Sequence, residues 1–191
     1  ERMHRFDSIK LLMGNLNEEV VVVGNLGPTS DEMWHAGDRE KNYYTYGSMG
    51  LCSSIALGIA LNCKNKVVAF DGDGSILMNL GSLATIGREN PSNLILLIWD
   101  NEMWGQVGRH YSHTHYKTNL EEIAKGCGIA QTATVDNVDE LKNVFDKALL
   151  YEGPWVIVAK IEEEGYLPVA PVEPEVITHR FRESMLDNTK A

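Results

Sequence analysis

The sequence predicts an α/β fold: a doubly wound, mainly parallel sheet with helices on both faces. Short apolar and β-branched runs alternate with helical patterns along the whole chain, which is the signature of βαβ units. Two central runs, Val67-Val68-Ala69-Phe70 and Leu94 to Trp99, are apolar throughout, as strands buried on both faces are. The chain has 191 residues, 43% of them hydrophobic, and no repeat or low-complexity tract, so one domain spanning 1–191 with a sizeable core is expected.

In order along the chain, residues 4–13 are helical by the spacing of Phe6, Ile9, Leu11 and Leu12, and Gly14 can close that helix. Glu19 to Val23 reads as a buried strand ending at Gly24-Asn25-Leu26-Gly27-Pro28. Thr29-Ser30-Asp31-Glu32 then opens a short helix with capping residues and an acidic first turn. Tyr43 to Tyr46 is a third strand, followed by the Gly47–Gly50 loop and an apolar helix through Leu61. The strand 67–71, a helix near 80–89 and the strand 94–99 come next. After an irregular segment at 105–117, Asn119 to Gly126 is helical, Thr132 to Val135 strand-like, Val138 to Leu149 an amphipathic helix, and Trp155 to Ile161 the last strand. Residues 162–191 read as an exposed arm, rich in glutamate and proline, leading to a short C-terminal helix. Right-handed connections open every strand-end loop on one edge of the sheet, where ligands collect.

The net charge of −10 and pI near 5.0 argue against a nucleic-acid partner, which needs a basic face. The longest apolar run, Leu94 to Trp99, is strand-sized, so no membrane span is expected. The first residues carry no apolar stretch of the secretory type. Cys52, Cys63 and Cys127 are odd in number and lack CxxC spacing, which disfavours a disulfide framework, a zinc ribbon or an iron–sulfur cluster. Small buried thiols in a reducing cytoplasm are the simplest reading.

The chemistry concentrates at two strand ends. Gly72-Asp73-Gly74 follows one buried run and Asn101 follows the other, with twenty-six residues between Gly74 and Asn101. Side by side, the two strands would deliver a carboxylate and an amide carbonyl to one point, and a main-chain carbonyl would complete an all-oxygen set suited to Mg²⁺. Glycines on either side of Asp73 let a diphosphate approach the backbone, and the amides of Gly74 and Ser75 with the Ser75 hydroxyl can hold its oxygens. Taken singly, Asp73 is equally a turn residue, Asn101 the head of an Asx-turn and Ser75 a helix cap; the joint spacing favours ligands.

These flanks carry a resemblance. Phe70-Asp71-Gly72-Asp73-Gly74-Ser75, Met78-Asn79-Leu80 and Asp100-Asn101-Glu102-Met103-Trp104-Gly105 resemble the signature of thiamine-diphosphate-dependent decarboxylases, in their diphosphate-binding domain. The likeness covers nearly the whole chain and is greatest to small β subunits of the sulfopyruvate decarboxylase type, with phosphonopyruvate decarboxylases as near kin. It implies thiamine diphosphate and Mg²⁺ as cofactors, with Asp73, Asn101 and the carbonyl of Met103 as metal ligands. It further implies that Asn25, Gly47, Ser48, Met49, Gly72, Gly74, Ser75, Trp104 and Gly105 lie on the cofactor. Met49 would wedge beneath the bent cofactor, with Gly47 carbonyl and Met49 amide holding the pyrimidine, although a methionine here also serves as core filler. Asn79 would be cofactor-proximal or a cap, and Leu26 and Gly27 belong near the site or form only a turn. No GxGxxG or Walker A lysine competes with this reading.

Arg109, His110, His113 and His115 crowd the loop after Asn101, and His113-Thr114-His115 resembles a segment of the sulfopyruvate-type relatives. An anionic substrate needs local cations, which this cluster can supply; His113 and His115, or groups on the partner, are the expected proton carriers; a merely solvated loop is the alternative, and no neighbouring Cys completes a zinc site. Glu102-Met103-Trp104 and Gln106-Val107 are bulkier than those relatives tend to have, which would narrow or reshape the substrate pocket. In this family a glutamate on a second α/β domain activates the cofactor. The resemblance therefore implies an α subunit carrying that glutamate, an α₂β₂ or higher heteromer, and a small anionic 2-oxo acid as substrate. Carboligation of the acetolactate synthase kind and a non-catalytic cofactor-sensing module are the competing readings.

Overall fold

The computed structural model describes residues 2–162 and 165–186. Six strands form one parallel sheet: β1 (Val21–Gly24), β2 (Asn42–Tyr44), β3 (Val67–Gly72), β4 (Leu94–Asp100), β7 (Gln131–Val135) and β8 (Trp155–Lys160), in the order β2-β1-β3-β4-β8-β7. The helices are α1 (Arg5–Met13), α2 (Pro28–Ala36), α3 (Cys52–Ala60), α4 (Asp73–Met78), α5 (Gly81–Glu89), α6 (Leu120–Gly126), α7 (Val138–Leu150) and α8 (Pro174–Leu186). Side-chain alternation along the strands sorts them into two cores. Val22, Val68, Phe70, Ile95, Leu97 and Trp99 meet Ile9, Leu12, Met33, Leu141 and Phe145 from α1, α2 and α7 on one face. Val21, Val23, Val67, Ala69, Leu94, Leu96 and Ile98 meet Ala56, Ile76, Leu83, Ile86 and Ala124 from α3 to α6 on the other. This is the doubly wound parallel sheet that the continuous apolar runs predict.

Local signals explain several boundaries. Asn119 and Asn137 each accept a hydrogen bond from the backbone three residues on, Glu122 N at 3.1 Å and Glu140 N at 3.0 Å, and so cap α6 and α7. The six-residue helix α4 begins directly at Asp73, ahead of the helix expected near 80–89. Within the segment read as irregular, β5 (Met103–Trp104) and β6 (His110–Tyr111) pair antiparallel as a small ribbon.

The segment after β8 is held down where it is described. Ala170 is buried and its N–H donates to Asp31 Oδ1 at 2.8 Å, and His35 Nε2 meets Pro168 O at 3.0 Å. Helix α8 runs thirteen residues, longer than a short terminal helix, and lies against β2, with Phe181 edge-on to Tyr43 and Arg180 forked onto Asp38. Glu163, Glu164 and 187–191, parts of the expected arm and helix, lie outside the described residues. Among the described residues no helix is long and apolar enough to cross a membrane, and the three cysteines carry no disulfide.

The topology fixes where a ligand can sit. From β1 the chain leaves through α2 on one face; from β3 it leaves through α4 and α5 on the other. The two connections diverge between adjacent strands and open a crevice at their carboxyl ends.

Candidate active site

That crevice is a cleft enclosing about 570 Å³ of atom-free space, its open mouth included. Asn25 and Leu26 follow β1, Gly72 to Ser75 join β3 to α4, and Asn101 follows β4; all line it together with Met49, Met103, Trp104 and Gly105. Of the twelve residues assigned to the cofactor by resemblance, all but Gly47 and Ser48 therefore line one cleft.

The loop holding Gly47 and Ser48 is under conformational constraint next door. Gly47, Ser48 and Gly50 adopt positive φ of 75°, 49° and 90°, and a serine pays for that conformation where glycine does not. The loop is clamped from α4: Gly50 N donates to Ser75 Oγ at 3.0 Å, and Asn79 Nδ2 donates to Gly50 O at 2.9 Å. Ser75 Oγ also donates to Asn25 Oδ1 at 3.4 Å, so one hydroxyl ties together the ends of β1 and β3 and the loop after β2. Asn79 does not line the cleft; it acts on the loop that presents Met49.

Asp73 is buried, 3% exposed, and two described hydroxyls stand at one of its oxygens: Ser112 Oγ donates to Oδ2 at 2.5 Å, and Thr114 Oγ1 lies 3.4 Å from it. Burial, and then the neighbouring charge of Asp100, push the Asp73 carboxyl up to about 7 despite those donors. Asp71, also buried, is pushed up to about 6 by desolvation, against the lowering pull of Ser75 and the Gly72 and Ser53 backbone; its Oδ1 accepts from Gly72 N at 2.9 Å. Asn101 Oδ1 accepts from Met103 N at 3.1 Å, the Asx-turn geometry, which leaves that oxygen a second lone pair and turns the backbone into β5. Among the described residues no three His, Cys, Asp or Glu side chains converge as a metal centre. A site built on one carboxylate, one amide oxygen and one main-chain carbonyl fits a hard cation that fills its shell from diphosphate and water. On donor chemistry, then, these residues fit Mg²⁺–thiamine diphosphate.

The structure does not bring His113 and His115 into the cleft. Ser112 enters in extended backbone and a 3₁₀ turn comes next, so Ser112 and Thr114 face the carboxylates while the two histidines face out. His113 packs edge-on against Trp104, and His115 stacks on Tyr111 with centroids 3.7 Å apart and its Nδ1 3.6 Å from Glu102 Oε2. Arg109 and His110 sit on the exposed ribbon, away from the lining. Gln106 and Val107 also line the cleft. Sequence reasoning missed Arg5, Pro28, Thr29 and Tyr166, which also line the cleft. Arg5 comes from α1, where nothing but the fold marks it; its Nε and Nη2 donate to the two oxygens of buried Glu32, both at 2.7 Å.

Residues 23–159 match the family model for the thiamine pyrophosphate enzyme, C-terminal TPP binding domain. The chain belongs to that family. Over 182 residues, 95% of this chain and 96% of the relative, it is 48% identical to sulfopyruvate decarboxylase subunit beta of Methanocaldococcus jannaschii. It is 32% identical to phosphonopyruvate decarboxylase of Streptomyces viridochromogenes, covering 95% of this chain but 46% of that one. A thiamine diphosphate-dependent 4-hydroxybenzoylformate decarboxylase of Rhodococcus jostii superposes with a TM-score of 0.75 at 18% identity, over 85% of this chain and 33% of that chain, a likeness of fold. The expectation of a thiamine-diphosphate-dependent decarboxylase is met at the level of family, and the β-subunit names among the relatives imply a partner subunit.

Proposed function

We propose that this thiamine pyrophosphate enzyme domain is the β subunit of a Mg²⁺-dependent decarboxylase of short anionic 2-oxo acids, with 3-sulfopyruvate as substrate and sulfoacetaldehyde and CO₂ as products. The observation that supports it most is the convergence of Asn25, Met49, Gly72–Ser75, Asn101 and Met103–Gly105 on one cleft at the topological switch of the sheet. In this reading Asp73, Asn101 and the Met103 carbonyl hold Mg²⁺, and Gly72, Gly74 and Ser75 hold the diphosphate. When bound, thiamine diphosphate supplies the carbon nucleophile and the electron sink that 2-oxo acid decarboxylation needs.

The chain's own residues do the rest. Leu26, Pro28, Met49, Met103, Trp104 and Val107 give the cleft apolar walls that limit water at the reacting carbon. Arg5 is the only cationic side chain among the described lining residues, and its Nη1 donates to none of the described residues. We assign it to the anionic tail of the substrate, held in place from behind by Glu32. Loss of CO₂ leaves a carbon that must gain a proton; with His113 and His115 outside the cleft, its delivery falls to the α subunit that also brings the activating glutamate. The reading is supported by the 48% identity to a β subunit over almost the full length of both chains.

The test is product analysis with Mg²⁺ and thiamine diphosphate, with and without the co-expressed α subunit, on 3-sulfopyruvate, phosphonopyruvate and pyruvate. Sulfoacetaldehyde and CO₂ formed only with the α subunit support the proposal. Preference for phosphonopyruvate would reassign the substrate, and acetolactate formed from pyruvate would point to carboligation instead.

A further inference from the structure

Two hydroxyls stand between the buried carboxylates that end β3 and β4. Ser112 Oγ donates to Asp73 Oδ2 at 2.5 Å, and Thr114 Oγ1 donates to Asp100 Oδ1 at 2.7 Å; the two hydroxyl oxygens are 2.8 Å apart, and Thr114 Oγ1 is 3.4 Å from Asp73 Oδ2. Each hydroxyl has one hydrogen, so the shortest contacts allot that of Ser112 to Asp73 and that of Thr114 to Asp100. All four residues are buried, Ser112 completely. Asp100 is then fully committed: Glu102 N donates to its Oδ1 at 3.0 Å and Lys160 Nζ to its Oδ2 at 2.6 Å. Among the described residues Asp73 has no such cation, and its side-chain contacts with hydroxyls fall on Oδ2.

We infer that Ser112 and Thr114 are positioning residues for the cation: Ser112 pins Asp73 through Oδ2, and Thr114 holds Asp100 beside Lys160 and away from the metal. The inference rests on the reading of Asp73 as the metal's charged ligand and deepens it. A carboxylate fixed by one oxygen presents the other in a constant direction, and withholding Asp100 keeps the protein's contribution to a single negative charge. Asp73 lines the cleft whereas Asp100, one residue before Asn101, does not, and the hydroxyl, amide and ammonium partners of Asp100 keep it so engaged. Partners of this outer kind typically change metal affinity by about 10- to 100-fold when removed.

The experiment compares Ser112→Ala, Thr114→Val and Thr114→Ser with a buried hydroxyl elsewhere, Ser53→Ala, whose Oγ bonds Ser82 Oγ at 2.9 Å. Two quantities are read on each: Mg²⁺ affinity at saturating thiamine diphosphate, by calorimetry and by Mn²⁺ paramagnetic resonance, and the melting temperature without ligands. Ser112→Ala is expected to weaken the cation by roughly tenfold or more and Thr114→Val by a smaller factor, while Thr114→Ser, which keeps the hydroxyl, restores affinity. Ser53→Ala should lower the melting temperature and leave cation affinity alone. Cation affinity of Ser112→Ala and Thr114→Val within about twofold of the wild type, whatever their melting temperatures, overturns the inference and makes the hydroxyls ordinary buried polar groups. If Ser112→Ala does not fold, the Thr114→Val and Thr114→Ser pair decides alone. Absence of any Mg²⁺-dependent cofactor binding by the wild type would instead remove Asp73 as a ligand, and the positioning role with it.

Discussion

Trp104 lies on Gly74: a Cβ at Gly74 would stand 2.9 Å from Cε3 of the indole ring. The glycine next to Asp73 therefore serves two purposes. It keeps the backbone bare towards the cleft, and it provides the flat seat on which the ribbon β5–β6 rests.

Gly74→Ala should push Trp104 and the ribbon outward. The cost in stability is expected to be about 1–3 kcal/mol, the range for overpacking a filled site. Cofactor affinity should fall with it, because Met103 and Gly105 move as well. Paired melting and calorimetry of Gly74→Ala and Gly74→Ala/Trp104→Ala check this; the second change should recover stability if the clash is the cause.

On the proposed reading, Asp73 would set the pH dependence of metal binding. Its carboxyl sits at about 7 in the folded protein against an ordinary value of 3.8, raised first by burial and then by Asp100. A raised carboxyl pKa means that the folded, ligand-free chain holds its proton more tightly than the unfolded one. That contribution to stability is present at low pH and is lost as pH rises through the folded value. Mg²⁺ competes with the same proton, so the rise in melting temperature on adding Mg²⁺–thiamine diphosphate should grow between about pH 6 and 8. A ligand-induced shift that is flat across this window would remove Asp73 from the cation site.

His115→Ala should leave turnover of the assembled enzyme within about threefold of wild type, since the ring stacks on Tyr111 and faces Glu102 rather than the cleft. A loss of two orders of magnitude would restore the proton-carrying role that the sequence pattern suggests.

Met49→Ala should lower kcat more than cofactor affinity. The diphosphate and its cation would carry most of the affinity, whereas Met49 would act on the bent conformation, and misplacement of about 1 Å can cost on the order of 10²-fold in rate. A variant that melts early yet turns over normally per folded site would show Met49 to be core filler, worth roughly 2–5 kcal/mol.

The doubly wound sheet was legible because Val67 to Phe70 and Leu94 to Trp99 are apolar at every position, which strands buried on both faces require. The cleft was legible because Asp73 and Asn101 end adjacent parallel strands, so their sequence spacing becomes spatial proximity. Met103 to Gly105 were legible through the resemblance, but the segment from Arg109 to His115 was not. The pattern His113-Thr114-His115 draws attention to its imidazoles, yet one extended residue at Ser112 turns the hydroxyls inward and the rings outward. Arg5 was invisible for a different reason: it reaches the cleft from α1, through a pairing with Glu32 that spans the first strand. Tyr166 likewise comes from the segment whose Pro168 and Ala170 bond to α2, a docking that composition does not encode.

The most direct test of the account is calorimetry of thiamine diphosphate binding to the wild-type protein and to Asp73→Ala, each with Mg²⁺ and with chelator. The account predicts binding by the wild type that chelator abolishes, and none by Asp73→Ala under either condition while its fold is retained by circular dichroism. Equal affinity in wild type and Asp73→Ala, or wild-type binding indifferent to chelator, would contradict it.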